Sequence, residues 1–169
     1  MSLDKFMTKL KYGDRAAFDK IYESTRKSVY YIALSIVGDK ATAEDVMQNA
    51  YLSMLRNADK YRDGTNAYAW IARIVKNEAL NVKKRKMREC PIDETENAAL
   101  FGTTETDDFG LLTDLARKVL SEDEFTIIML ATVCGYKRRE IGEMLEMPTP
   151  TVSWKYNNAT AKMREALNG

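Results

Sequence analysis

No histidine occurs anywhere in this chain of 169 residues. Its absence removes the commonest general base, the usual activating partner of a Ser or Cys nucleophile, and the commonest metal ligand. An enzyme is disfavoured, and no catalytic residue, metal or cofactor is expected. The two cysteines, Cys90 and Cys134, stand far apart and form no CxxC pattern, so free thiols in a reducing compartment are expected. Three prolines and eight glycines are too few for a long irregular or all-β architecture, which favours helix. No apolar run approaches the roughly 20 residues of a membrane span. The N-terminal MSLDKFMTKLKYGD lacks a signal-peptide core. A cytoplasmic protein without a membrane span is the expectation.

What is present is charge, unevenly placed. The formal net charge is only +1, yet residues 1–88 hold 18 Lys/Arg against 10 Asp/Glu. Residues 89–110 hold no cation against seven carboxylates, and residues 111–169 hold eight of each sign. This pattern divides the chain into a basic block (1–88), an acidic linker (89–110) and a neutral block (111–169). The linker's acidity either confers solubility or competes with a polyanion for the basic surface.

Both blocks read as amphipathic helices, an all-α class of two small helical domains. Phe18, Ile21, Tyr22, Val29, Ile32, Ala33 and Ile36 recur at helical spacing over residues 15–37. Thr42 is the expected N-cap of a second helix, whose stripe Val46, Met47, Ala50, Tyr51 and Met54 leaves Asp45, Gln48, Asn49, Leu52 and Arg56 on the opposite face. A turn at 61–66 precedes a third helix from Ala67 to Lys86. That helix ends in Lys83-Lys84-Arg85-Lys86, more cations than C-terminal capping needs. Clustered Lys/Arg of this kind is the electrostatic footprint of polyanion binding.

In the neutral block, Leu111, Leu112, Leu115 and Val119 form a short helical stripe, and Ser121-Glu122-Asp123-Glu124 is a capping box. The helix that follows is expected to end at Gly135. Two prolines then bracket a turn in EMPTPTVSWKYNNATAK. Pro148 would close one helix, and Pro150 would sit at the first position of the next, behind Thr149 as N-cap. Val152, Tyr156, Ala159, Met163 and Leu167 make the buried stripe of that last helix. A short helix, a tight turn and a longer amphipathic helix describe a helix-turn-helix, although a helical hairpin in a bundle has the same outline. As a helix-turn-helix, it would present Thr151, Ser153, Trp154, Lys155 and Asn158 to the major groove.

These segments together resemble the extracytoplasmic-function (ECF, group 4) sigma-70 family. AEDVMQNAYL at 43–52, DKYR at 59–62 and AYAWIARIVKN at 67–77 look like region 2, and residues 120–167 look like region 4. The resemblance implies a sigma factor that binds core RNA polymerase and directs promoter-specific initiation. Asp45, Gln48, Asn49, Leu52 and Arg56 would dock on the polymerase clamp helices. Asn49 stands where the family usually has Glu. Tyr61, Asn66, Trp70, Arg73 and Asn77 would capture the −10 element, with Lys76, Lys83, Lys84, Arg85 and Lys86 on phosphates. A splayed base needs such an aromatic pocket, and its strand needs cations, although Trp70 also falls near the core face. At −35 the resemblance adds Arg138, Arg139, Asn157 and Lys162 to the five groove positions. It also implies contact with the polymerase flap. Few cations line that helix, which implies weak, salt-tolerant −35 binding. Trp154 has three readings: a thymine methyl or sugar, the polymerase flap, or a neighbouring helix. An anti-sigma protein is a further implied partner.

Two other readings stand beside this one. A free-standing helix-turn-helix regulator would dimerise through the basic block. A carboxylate-metal bundle would need the histidines that the chain lacks.

Overall fold

The computed structural model describes residues 2–89 and 108–169. Nearly all of the expected linker therefore lies outside the described residues. Among those described, the chain forms eight α-helices and no strand, the all-α class expected. They are α1 (Leu3–Lys11), α2 (Ala17–Val37), α3 (Lys40–Arg56), α4 (Ala67–Glu89), α5 (Asp108–Val119), α6 (Glu122–Thr132), α7 (Arg138–Leu145) and α8 (Thr149–Asn168), with a 3-10 turn at Ala58–Lys60.

Two helices are buried on more than one face and organise the rest. In α2 the four consecutive residues Tyr31 to Leu34 are all buried. A helix with one apolar stripe cannot do this, so α2 must be covered on several sides. It packs against α1, α3 and α4, and also against α6. In α6 the run Glu124 to Ile127 is likewise buried, because α6 lies between α2 and α8. The first four helices and the last four thus meet through α2·α6 and α4·α7.

The mixed charge and apolar residues of MSLDKFMTKLKYGD conceal α1. Its Leu3, Met7 and Leu10, at helical spacing, are buried. Asp4 reaches across the fold, and its Oδ1 accepts the Ala67 N–H at 2.8 Å, capping α4 from another helix. Asn66 Oδ1 accepts the Ala69 N–H at 3.0 Å as the local N-cap. Asp63 is held to α1 by the Tyr12 hydroxyl (3.0 Å) and by Lys11 Nζ (3.4 Å). Loop 61–66 is therefore stapled at both ends.

Several expected boundaries move. The N-cap of α3 is Asp39, not Thr42: Asp39 Oδ1 accepts the Thr42 N–H at 2.9 Å, which places Thr42 inside the first turn. α6 ends at Thr132, with Val133 as its C-cap. Gly135, at φ 75°, instead lets the Tyr136 N–H return to the Leu130 carbonyl at 3.0 Å. In α5 the buried side is Gly110, Thr113 and Ala116, while Leu111 and Leu112 are exposed. α7 is stopped not by Pro148 but by Glu146, in the left-handed region at φ 55°. α8 begins at Thr149 behind Pro148, one residue earlier than expected, so Pro150 occupies the second helical position. Both prolines thus serve the start of α8. Val152 and Ala159 are buried in the expected stripe, but Leu167 is exposed.

The α7–α8 turn depends on one glycine. A Cβ on Gly142 would lie 2.7 Å from the Met147 carbonyl oxygen, and the Met147 N–H already donates to the Gly142 carbonyl at 2.9 Å. The obstructing atom is backbone, so it cannot rotate away. Gly142→Ala should therefore cost about 1–3 kcal/mol, the usual range for overpacking, read as a lowered urea midpoint. An unchanged midpoint would contradict this close approach.

Candidate nucleic-acid and partner interfaces

α3 separates its residues cleanly. Val46, Ala50, Tyr51 and Met54 are buried, with the Tyr51 hydroxyl 2.8 Å from Thr25 Oγ1. Burial pushes the Tyr51 phenol up to about 12. Asp45, Gln48, Asn49, Leu52 and Arg56 are all exposed on the opposite side, and Leu52 is 54% accessible. Leu55, also exposed, adjoins this face. An open groove continues it toward α2, lined by Arg26, Lys27, Glu44 and Gln48. Arg26 and Lys27 could not be placed beside Gln48 from spacing, because they sit on a different helix.

The loop and α4 bring only part of the expected −10 set to the surface. Tyr61 is 1% accessible. Its hydroxyl donates to the Thr65 carbonyl at 2.8 Å and lies 3.3 Å from Asp4 Oδ1. Its ring meets Trp70 edge-on at 5.6 Å. Burial, and then the Asp4 charge, raise its pKa. Tyr61 therefore offers no face to a base in this arrangement, and Trp70 is half-buried beside it. Asn66 holds the α4 cap.

Arg73, Asn77, Lys84 and Arg85 are exposed, and Lys76 is half-buried. Two of the expected phosphate contacts have carboxylate partners. Lys83 pairs with Glu122 at 2.7 Å, and Lys86 pairs with Asp39 at 3.3 Å while donating to Thr42 Oγ1 at 2.6 Å. Arg73 pairs with Glu146. Glu122 and Glu146 belong to the second set of helices, so α4's outward cations face its acidic edge. Tyr136 completes this junction: its ring packs on Tyr68 at 5.5 Å, and its hydroxyl lies 3.3 Å from the Ser24 carbonyl oxygen.

α7 and α8 form the helix-turn-helix, with α8 resting on α6. The first turn of α6 carries Glu122, Asp123 and Glu124 behind the Ser121 capping box. Glu124 is 4% accessible. It accepts from the Ser121 N–H (2.9 Å), from Asn158 Nδ2 (2.6 Å) and from Lys162 Nζ (2.9 Å). Burial alone would raise its pKa, but these bonds outweigh burial and hold the carboxyl below its ordinary value. Lys155 donates to Asp123 at 2.9 Å and is only 25% accessible. Three residues expected to face DNA therefore tie α8 to α6.

Through its middle turns α8 shows Trp154, Asn157 and Ala161 to solvent, with Thr151 and Ser153 half-exposed beside them. At the entrance to α7, Arg138 and Arg139 are both exposed. The Arg138 guanidinium lies 4.5 Å from the centre of the Tyr156 ring, and Arg139 pairs with Glu143 at 3.3 Å.

The described residues thus form a helical bundle bearing a basic helix and a helix-turn-helix packed against it. Residues 21–89 match the family model described as Sigma-70 region 2. The chain is 24% identical to the ECF RNA polymerase sigma factor SigW of Bacillus subtilis, covering 99% of this chain and 97% of that one. It is also 24% identical to the RNA polymerase sigma factor CarQ of Myxococcus xanthus, covering 95% of each. In fold it resembles CnrH, solved in complex with the cytosolic domain of CnrY, with a TM-score of 0.68, 16% identity and coverage of 98% and 96%. The sigma factor RpoE of Bartonella quintana, solved with the anti-sigma factor NepR, gives a TM-score of 0.63 at 19% identity, covering 89% and 96%. The class is thus an RNA polymerase sigma factor, a non-enzymatic transcription initiation factor. Among its types, the chain is similar to those named ECF. No helix among the described residues is long and apolar enough to cross a membrane.

Glu124→Ala should cost about 1–3 kcal/mol, since it removes a capping box and three bonds to a buried carboxylate. Because the folded-state pKa is lowered, this contribution is fully present above the unfolded carboxylate value of about 4.3. It is lost as pH falls through the lower folded value. Melting curves should show the wild-type advantage at pH 7 and its shrinkage below pH 4. A difference independent of pH would contradict an ionised Glu124.

Proposed function

We propose that the chain is a group 4 sigma factor with two working domains, residues 1–88 and 111–169, joined by the acidic stretch 89–110. The exposed face of α3 docks on the clamp helices of core polymerase. One observation carries this reading: inside the stretch that matches region 2, Asp45, Gln48, Asn49, Leu52 and Arg56 form one exposed face. An accessible leucine among polar residues is what a partner surface, rather than a solvated one, calls for. Arg26 and Lys27 extend that face.

Promoter contact is divided between the domains. α4 engages the −10 strand with Arg73, Lys76, Asn77, Lys84 and Arg85, joined by Lys83 and Lys86 once their carboxylates release them. Tyr61 and Asn66 support it by shaping the loop, and Trp70 forms the edge of the base pocket. α7 and α8 approach the −35 duplex, and the polymerase flap is the second partner of this domain. The chain does no chemistry of its own and acts in the cytoplasm, where the polymerase is. An anti-sigma protein is a further proposed partner, supported by the similar fold of the sigma factor RpoE, solved with the anti-sigma factor NepR.

The packed arrangement is the off-promoter state. A folded chain of this length has a diameter of about 40 Å, from a radius of gyration of about 15 Å. Elements centred at −10 and −35 lie about 85 Å apart along B-DNA, at 3.4 Å per base pair. The domains must therefore separate to occupy both. The ion pairs between them, Arg73–Glu146 and Lys83–Glu122, are solvent-exposed and of the kind worth about 0–1 kcal/mol each, so separation is not costly on their account.

Leu52→Asp should lower core-polymerase affinity at least about tenfold without lowering the melting temperature, as read by co-purification and run-off transcription. Wild-type binding by this variant would remove α3 from the polymerase surface. A stable dimer with tight, polymerase-independent duplex binding would instead favour the free-standing regulator. The double variant Glu122→Gln, Glu146→Gln frees Lys83 and Arg73. It should tighten single-stranded DNA binding and steepen its log–log salt slope by about 1.4, the increment for two added phosphate contacts. No change in slope would separate these cations from DNA contact.

A further inference from the structure

α8 carries three cations, Lys155, Lys162 and Arg164. Lys155 is bound to Asp123, and Lys162 to Glu124. Arg164 lies more than four turns from the helix start, beyond the residues that such a helix inserts. Past the exposed Thr149 and Pro150 at its start, the face presented within the first four turns is Trp154, Asn157 and Ala161, flanked by Thr151 and Ser153. Trp154 is 66% accessible, and no ring packs against it among the described residues. It does not cover a neighbouring helix, one of the three roles its sequence position allowed.

The base pairs offer different chemistry to such a face. Guanine is read chiefly by Arg or Lys donating to O6 and N7, which needs a free cation on the inserted turns. Adenine is read by the side-chain amide of Asn or Gln on N6 and N7, and thymine by apolar contact with its methyl group. Here the inserted turns offer an amide and a large apolar ring, with no unengaged cation. The exposed cations Arg138 and Arg139 stand at the start of α7, the helix that crosses the phosphate backbone in this motif.

The geometry points to Trp154 and Asn157 as the specificity-determining pair of the −35 contact. They select adjacent A·T pairs, with the Asn157 amide on adenine and the Trp154 ring against a thymine methyl. Lys155, Asn158 and Lys162 brace α8 on α6 and read no base. This deepens the proposed function and rests on α8 being the duplex-contacting helix. Duplex DNA is favoured over a polymerase surface by charge: the exposed Arg138 guanidinium lies over the Tyr156 ring of α8, and Arg139 follows it at the start of α7.

The test is promoter selection by the full-length chain with core polymerase, from a library randomised across the −35 region. Wild type should enrich A·T at two or more adjacent positions. Trp154→Ala should lose the thymine preference at one of them by roughly 5- to 100-fold, the range for one well-made base contact. Asn157→Arg should shift a neighbouring preference from adenine to guanine. Lys155→Ala should leave the base preferences unchanged. Melting temperatures near wild type would show that both exposed-site variants fold.

Enrichment of G·C by wild type, or a Lys155→Ala profile changed like that of Trp154→Ala, would overturn the assignment. A Trp154→Ala variant with an unaltered −35 profile but weakened core binding would place this tryptophan on the polymerase flap, which also overturns it. Failure of wild type to bind core polymerase at all would be a different result. It would refute the proposed function itself, and this inference with it.

Discussion

A carboxylate with almost no access to water must find partners inside the protein, and Glu124 sets the terms for the C-terminal half of this chain. An unpaired buried charge is costly, and the penalty is relieved only by good geometry and enough donors. Ser121, Asn158 and Lys162 supply them. The first bond starts α6, and the other two fix α8 across it. α7 then closes the motif through a turn that tolerates no side chain at Gly142. The same interaction turns one flank of α8 inward, leaving an amide and an indole to face outward. Scaffold and exposed face follow from one buried group.

The junction between the two sets of helices is mixed. The apolar packing of α2 on α6 belongs to one continuous core, while its ion pairs are exposed and its aromatic contact is one pair of tyrosine rings. The ion pairs engage Arg73 and Lys83, cations that a polyanion would compete for.

Much of the helical plan was legible because it is local. The capping box at Ser121–Glu124, the apolar stripe of α3 and the exposed set from Asp45 to Arg56 are relations within a few turns. Helix ends were less legible where two residues compete for one role. Asp39 precedes Thr42 and takes the cap, and Glu146 reverses the chain before Pro148 can. The candidate nucleic-acid surface was the least legible part. Tyr61 looked like a base-stacking ring, but its hydroxyl is buried against Asp4, 57 positions away. Lys155 and Lys162 looked like DNA contacts, but their carboxylates lie 32 and 38 positions earlier. Periodicity assigns a residue to a face of its own helix. It does not say which distant helix covers that face.

We propose that this chain keeps its two helical domains packed together off the promoter, with Arg73 and Lys83 engaged by Glu146 and Glu122, and separates them on it. The most direct measurement is the distance between probes at Asp59 and Asn168, taken by pulsed electron-spin resonance or single-molecule energy transfer. It should be made on the free chain and on the chain bound to core polymerase at a selected promoter. The distance should be short in the free chain, within the roughly 40 Å of a compact fold, and much longer in the promoter complex. A free chain already extended, or a promoter complex as compact as the free chain, would contradict the proposal.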